Sequence, residues 1–356
     1  MFSSLSRHAT VITLFFFCSS SGQVLAVARD GGSIAASTVS LSGNRTLAEI
    51  ARTITSQTGT ELDISSFDGD SNLNVNWNKR EFWNALEDLA GLVGGRWEMT
   101  PKSKAPKLIK STNKQAPKAY VDGPFRIAVK DILIRSEFAT GRTHYDLTLD
   151  VAWEPRIAVF RIDEVPHPLQ GQDDGKRAIA SEPIKSRNPV EGFVARSTIR
   201  LNGLTRQSKR IESLTGTFYL TAADEMLQFT MTNLEKPKSP APQKGVNLEF
   251  QKFTKDGNYW IADVDLRYPA GGPIFESFET YWLSRNRMFL VAPGGARKFA
   301  PVDHEENGTA IRYRFKEDMV RGPVLANLKG WKLEYETPGP MREVPVKFEL
   351  KEIALP

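Results

Sequence analysis

The stretch Val39–Ile64, VSLSGNRTLAEIARTITSQTGTELDI, changes its hydrophobic period twice. Val39 and Leu41 alternate with serines, as in a half-buried strand. Thr46-Leu-Ala-Glu49 then has the spacing of a capping box, a hydroxyl followed three residues later by a carboxylate. Leu47, Ile50, Ala51 and Ile54 fall on one stripe at helical spacing, and Gly59 is placed to end the helix in a left-handed turn. Leu62 and Ile64 alternate again. The reading is strand, helix, strand.

The same order returns in LNVNWNKREFWNALEDLAGLVGGRWEM, residues 73–99. Leu73, Val75 and Trp77 alternate, and Asn78-Lys-Arg-Glu81 again has cap spacing. Phe82, Leu86, Leu89, Ala90 and Val93 form a second helical stripe, Gly94-Gly95 stops it, and Trp97 and Met99 resume a strand. Burying each large stripe residue is worth roughly 1.5–3 kcal/mol, so both helices are expected to lie on a sheet in one small α+β domain over 38–110.

These two stretches carry a family resemblance. Val39 to about Ile109 resembles the periplasmic N-terminal domain shared by secretins and TonB-dependent receptors: a strand, a helix ending in Gln57-Thr58-Gly59, a strand pair, and a second helix ending in Leu92-Val93-Gly94. The resemblance implies contact with other envelope proteins and no enzymatic activity. No outer-membrane barrel or secretin pore region follows, so it does not imply a receptor or a channel.

Beyond Pro124 the pattern is β throughout. Phe125, Ile127 and Val129 alternate, as do Tyr145, Leu147, Leu149 and Val151. Residues 165–192 are polar and Pro-rich and read as a long loop; Lys236-Pro-Lys-Ser-Pro-Ala-Pro242 reads as a stiff linker. Alternation returns from Val246, with further strands expected at Phe278–Leu283 and Val344–Leu350. The two β regions echo each other in order: LDVAWEP (149–155) with VDLRYP (264–269), LTGTFYL (214–220) with LKGWKLEY (328–335), FTMTNL (229–234) with FELKEI (348–353). The expected fold is therefore α+β: a small βαβ-βαβ N-terminal domain, then two tandem antiparallel β-sandwich (Ig-like) domains at 124–236 and 245–356. As a whole these regions also resemble exported bacterial β-rich proteins, of uncharacterised role, with similar tails (Tyr335-Glu-Thr-Pro and Phe348-Glu-Leu-Lys here). No function comes with that likeness.

Residues 1–28 read as a secretory signal peptide: Arg7, the apolar run Thr10–Phe17, then small residues ending Ala26-Val27-Ala28. The run is too short for the ~20 residues that cross a bilayer. The expected location is periplasmic or secreted after cleavage near Ala28, with no transmembrane segment in the mature chain. Cys18 is the only cysteine and lies in that leader. The mature chain would then have no disulfide, no thiolate metal site and no cysteine nucleophile. The net charge is +5, but Lys102–Lys118 supplies six lysines and no acid; without it and Arg7 the remainder is at −2. That is a short basic segment, a solvated linker or hairpin edge, or a tether to an anionic surface. It is not a distributed phosphate-matching face, so nucleic acid is not an expected partner.

No converging reactive set is visible. After His8, the histidines are His144, His167 and His304, none at metal-ligand spacing. Asp68-Gly-Asp70-Ser-Asn72 resembles a calcium loop but has Leu73 and Lys79 where the Gly and Glu belong, so it reads as a turn. Asp173-Asp-Gly175 and Asp303-His-Glu-Glu306 are acidic clusters in expected loops. No cofactor or metal is expected. Tyr259-Trp260 and Tyr281-Trp282 fall in or beside expected strands, where neighbours point to opposite faces, so each pair is a candidate source of an outward ring. The expected function is a non-catalytic protein-binding or scaffolding module with envelope proteins as partners. The alternative is carbohydrate binding through Tyr259, Trp260, Tyr281 and Trp282; a hydrolase built on the acidic loops is the third reading.

Overall fold

The computed structural model describes residues 33–112, 118–236, 238–270, 286–295, 297–307, 309–316 and 328–356. The leader expected at 1–28, and Tyr281 and Trp282, lie outside them. The described chain is β-rich, with antiparallel sheets and two helices.

The N-terminal unit runs β1 (Thr38–Thr46), α1 (Leu47–Thr58), β2 (Asn72–Glu81), α2 (Phe82–Val93), β3 (Gly95–Glu98) and β4 (Lys107–Lys110). The capping box at the start of α1 is formed: Thr46 Oγ1 accepts from the Glu49 amide at 3.2 Å, and Glu49 Oε2 accepts from the Thr46 amide at 3.0 Å. Gly59 and Gly94 end the two helices at φ of 71° and 65°, a conformation that a side chain would strain. Two expectations change. Residues 62–64 form no strand, only an isolated bridge from Asp63 to Lys107. Asn78–Glu81 is not a cap but the end of β2; α2 starts at Phe82 without a side-chain cap, and the Phe82 amide donates to the Ser37 carbonyl at 2.8 Å. A tertiary partner replaces the local one there.

The first β region comprises β5 (Tyr120–Asp122), β6 (Phe125–Glu137), β7 (Arg142–Trp153), β8 (Ala158–Asp163), β9 (Leu169–Asp173), β10 (Ala178–Ala180), β11 (Arg187–Pro189), β12 (Val194–Leu201) and β13 (Arg210–Ala223). The stretch expected as a long loop, 165–192, thus holds three short strands. The second comprises β14 (Met226–Thr232), β15 (Asn247–Asp256), β16 (Tyr259–Arg267), β17 (Arg287–Val291), β18 (Lys298–Phe299), β19 (Asp303–Asn307), β20 (Ala310–Lys316) and β21 (Lys332–Pro338), and β22 (Met341–Ala354) follows. β12-β7-β6-β5 make one sheet, which shares a core with β10-β9-β13-β8-β11. β14-β21-β17-β18 and β15-β16-β20-β19 share another.

The strand pairing overturns the tandem order. β22 pairs with β13 along its whole length, from Arg210↔Ala354 to Ala223↔Met341. β14 pairs with β21, from Met226↔Pro338 to Thr232↔Lys332. The Gly339 amide, donating to the Glu225 carbonyl at 2.9 Å, spans the gap between the two ladders. One two-stranded ribbon therefore crosses both β regions without a slip in register. The last strand of each expected sandwich, β14 and β22, belongs to the other one. Alternation alone could not reveal this, because a strand has the same period whichever neighbour it pairs with; LTGTFYL and FELKEI, read as belonging to separate sandwiches, lie in paired strands.

The N-terminal unit is docked on the first sheet and shares its core. Trp83 is fully buried and donates through Nε1 to the Pro124 carbonyl at 2.9 Å. The Arg126 guanidinium, almost wholly buried, meets Glu87 of α2 at 2.6 Å. Glu154, which is buried, accepts from the Ser37 amide at 2.8 Å and from Arg156 at 2.6 Å. A buried carboxylate is tolerated only with such partners.

Candidate functional site

The aromatic pairs divide as alternation requires. Tyr259 is 37% exposed beside the β15–β16 turn, whereas Trp260 is buried and stacks on Phe253 with centroids 5.1 Å apart and planes 14° from parallel. Trp260 therefore belongs to the core and cannot serve an outward platform. Tyr281 and Trp282 lie outside the described residues, so the structure brings no pair of these four together at a surface.

The acidic clusters are held by structure. Asp173 turns β9 into β10: its carboxylate accepts from the Ser208 hydroxyl at 2.6 Å and from the amides of Arg177 and Gly175 at 2.8 and 2.9 Å. The Ser208 hydroxyl, with those amides, holds its pKa below the usual carboxylate range. Asp303-His-Glu-Glu306, expected in a loop, lies in β19, where Asp303 and Glu305 flank Arg314 at 3.1 and 2.6 Å. Asp68 makes a plain turn, accepting from the Asp70 amide at 3.1 Å. No group of three metal-ligating side chains occurs among the described residues.

A charged cluster that sequence reasoning missed sits across β11, β8, β13 and β22. Arg187 bridges Asp163 at 3.0 Å and Glu343 at 2.5 Å, and the Tyr219 amide donates to Asp163 at 2.9 Å. Burial pushes the Asp163 carboxyl up despite its partners. Burial also opposes the Arg187 charge, but the Glu343 and Asp163 carboxylates together outweigh it and raise the guanidinium. One guanidinium serves both carboxylates. The cluster fastens four strands, and its signal was Asp163 at the end of the apolar strand AVFRID.

The most distinctive open surface is on the β1–β2 ribbon. One face buries Val39, Val75 and Trp77. The other presents Asn72, Asn74, Asn76 and Asn78, all exposed at alternate positions of β2. In register across the ribbon stand Thr46, Asn44 and Ser42, facing Asn72, Asn74 and Asn76. Alternate residues of a strand are about 6.7 Å apart, so the amides form a flat, uncharged row with donors and acceptors at regular spacing. Asparagine is depleted in strands, so this row runs against local preference. The ribbon is a two-stranded sheet, so each strand has one ladder partner among the described residues. Gln57 closes the β1 edge at Ser40, accepting from its amide at 2.8 Å and donating to its carbonyl at 3.0 Å. The apolar half of LNVNWN drew the sequence reading; the polar half carries the surface.

Set against known proteins, the chain matches no family model, no curated protein and no solved structure. No helix among the described residues is long and apolar enough to cross a membrane.

Proposed function

We propose that this chain is an exported, non-catalytic module that binds other envelope proteins, with the β1–β2 ribbon as its contact surface. The observation that carries this reading is the combination on β2 of an exposed amide row and an edge without a ladder partner among the described residues. An added strand from a partner would gain main-chain hydrogen bonds at that edge, while the amides would select its outward side chains. Docking through Trp83 and Arg126 holds the ribbon rigidly on the β regions, which suits a scaffold. The resemblance of residues 39–109 to the envelope domain of secretins and TonB-dependent receptors points the same way. The Ig-like character of the two β regions and their origin as two copies are part of the same proposal.

The test is a photo-crosslinking residue placed at Asn74, and separately at Asn76, in cells exporting the protein. A discrete protein adduct at these positions, absent when the crosslinker stands at exposed Gly257, supports the reading. With the crosslinker at Asn76, Asn72→Lys with Asn74→Lys should abolish the adduct and leave the melting temperature unchanged. No protein adduct, together with glycan binding by the purified protein, would overturn it in favour of carbohydrate recognition.

A further inference from the structure

The hairpin of β6 and β7 runs past its neighbours. β12 pairs with β7 only from Tyr145 to Ala152, and β5 pairs with β6 only from Phe125 to Ile127. Residues 135–142 are exposed on both faces. The two strands remain laddered to Glu137↔Arg142, and Gly141, at φ 69°, closes the turn with its amide on the Glu137 carbonyl at 2.8 Å. This is a stiff, formed finger. At its tip stands Phe138, 96% exposed, with Leu133 half exposed on the shaft.

Cations line the finger behind the ring. Arg135 and Arg142 share a face of the finger, at alternate positions flanking the tip. Arg206 reaches the opposite face, donating to Thr143 at 3.4 Å and Ser136 at 3.3 Å, neither of which is charged. Lys130 lies further back. The acids of the segment are Asp131 and Glu137, and Glu137 is occupied by the Thr140 hydroxyl at 2.6 Å with His144 at 3.9 Å. Over residues 130–144, Lys130, Arg135 and Arg142 against Asp131 and Glu137 leave the finger at +1, and Arg206 adds a further positive charge from the segment before β13.

We infer that this finger docks on a membrane surface bearing anionic headgroups. Three observations select a lipid surface over a protein. A single ring at a tip cannot form the buried cluster of a protein interface, which needs roughly 1,000 Å². Arg135 lies three residues, about 10 Å, behind the ring along β6, and Arg142, paired with Glu137, lies one residue level behind it, which puts guanidinium groups on the body side of an aromatic that enters the headgroup boundary. An aromatic body with cations beside it is also the composition of membrane interfaces. This surface is separate from the β1–β2 ribbon, and either can be lost without the other.

The experiment is co-sedimentation of the purified protein with vesicles of phosphatidylcholine alone or with about a third phosphatidylglycerol. Binding to the anionic vesicles only, weakened by raised salt, is expected. Phe138→Ser should reduce it roughly tenfold or more. Arg135→Gln with Arg142→Gln should reduce it roughly 25-fold, from about fivefold per cation. Because these side chains are exposed, the variants should melt with the parent, which separates lost docking from lost folding. An environment-sensitive dye at Phe138→Cys, in a Cys18→Ser background, should shift to the blue on anionic vesicles. Absence of binding, binding indifferent to both variants, or a dye that responds only to a protein from envelope extract would each overturn the inference.

Discussion

Gly216 offers the sharpest test of the exchanged strands. It lies in β13 opposite Phe348 of β22, a partner 132 positions later in sequence. A Cβ added at Gly216 would meet Phe348 ring carbons at 2.7 and 2.8 Å and Leu169 at 3.2 Å. Real Cβ atoms do not approach that closely, and Phe348 is buried, so its ring has no open space to swing into. Overpacking of this kind costs about 1–3 kcal/mol. Each kcal/mol lowers the melting temperature by about 2–4 °C at this size, so Gly216→Ala should melt about 2–12 °C below the parent by scanning calorimetry. Phe348→Leu alone should also destabilise, by opening a void. Combined, the two should be less harmful than their sum by about 1–2 kcal/mol in urea unfolding, because the smaller side chain clears the contact. Strict additivity would refute the pairing of β13 with β22, and so would a neutral Gly216→Ala.

Other substitutions probe separate joints. Trp83→Phe removes the donor to Pro124 and part of a buried side chain, so it should cost about 2–4 kcal/mol and speed proteolytic release of the N-terminal unit. Gly91→Ala, within α2 and with no atom near the added methyl, should stabilise by about 0.5–1 kcal/mol in the same urea assay. Asp173→Asn should melt below the parent at neutral pH. Because the Asp173 pKa is depressed on folding, its contribution is complete above the ordinary carboxyl value of about 4 and fades as pH falls through the lower folded value. The gap between the two proteins should therefore narrow under acid. Trp260→Ala should cost about 3–5 kcal/mol, while Tyr259→Ala, at the surface, should stay within about 0.5 kcal/mol of the parent by chemical denaturation.

Local signals in the sequence translated well into local structure. The Thr46–Glu49 box, the glycine stops at Gly59 and Gly94 and the apolar stripes of α1 and α2 are determined by residues within a turn or two, and they appear as read. So does the opposite facing of Tyr259 and Trp260. Reading failed where a distant partner decides. The α2 start takes its hydrogen-bond acceptor from Ser37, β9 and β11 within 165–192 exist because β13 and β8 pair with them and β10 adds onto β9, and β22 joins a strand that period alone cannot distinguish from its own neighbours. The candidate surface was visible as four asparagines at alternate positions, but weight given to apolar residues hides any feature made only of polar ones.

The ribbon that crosses both β regions also sets a timetable. Ala223 of β13 and its partner Met341 of β22 stand 118 residues apart, so this ladder is a long-range one that is slow to close, and β13 waits for it. During that time β13 has a bare flank, and the core beneath it lacks Val344, Val346, Phe348 and Leu350. The step that seals the first core is thus the arrival of β22, across all of the second β region.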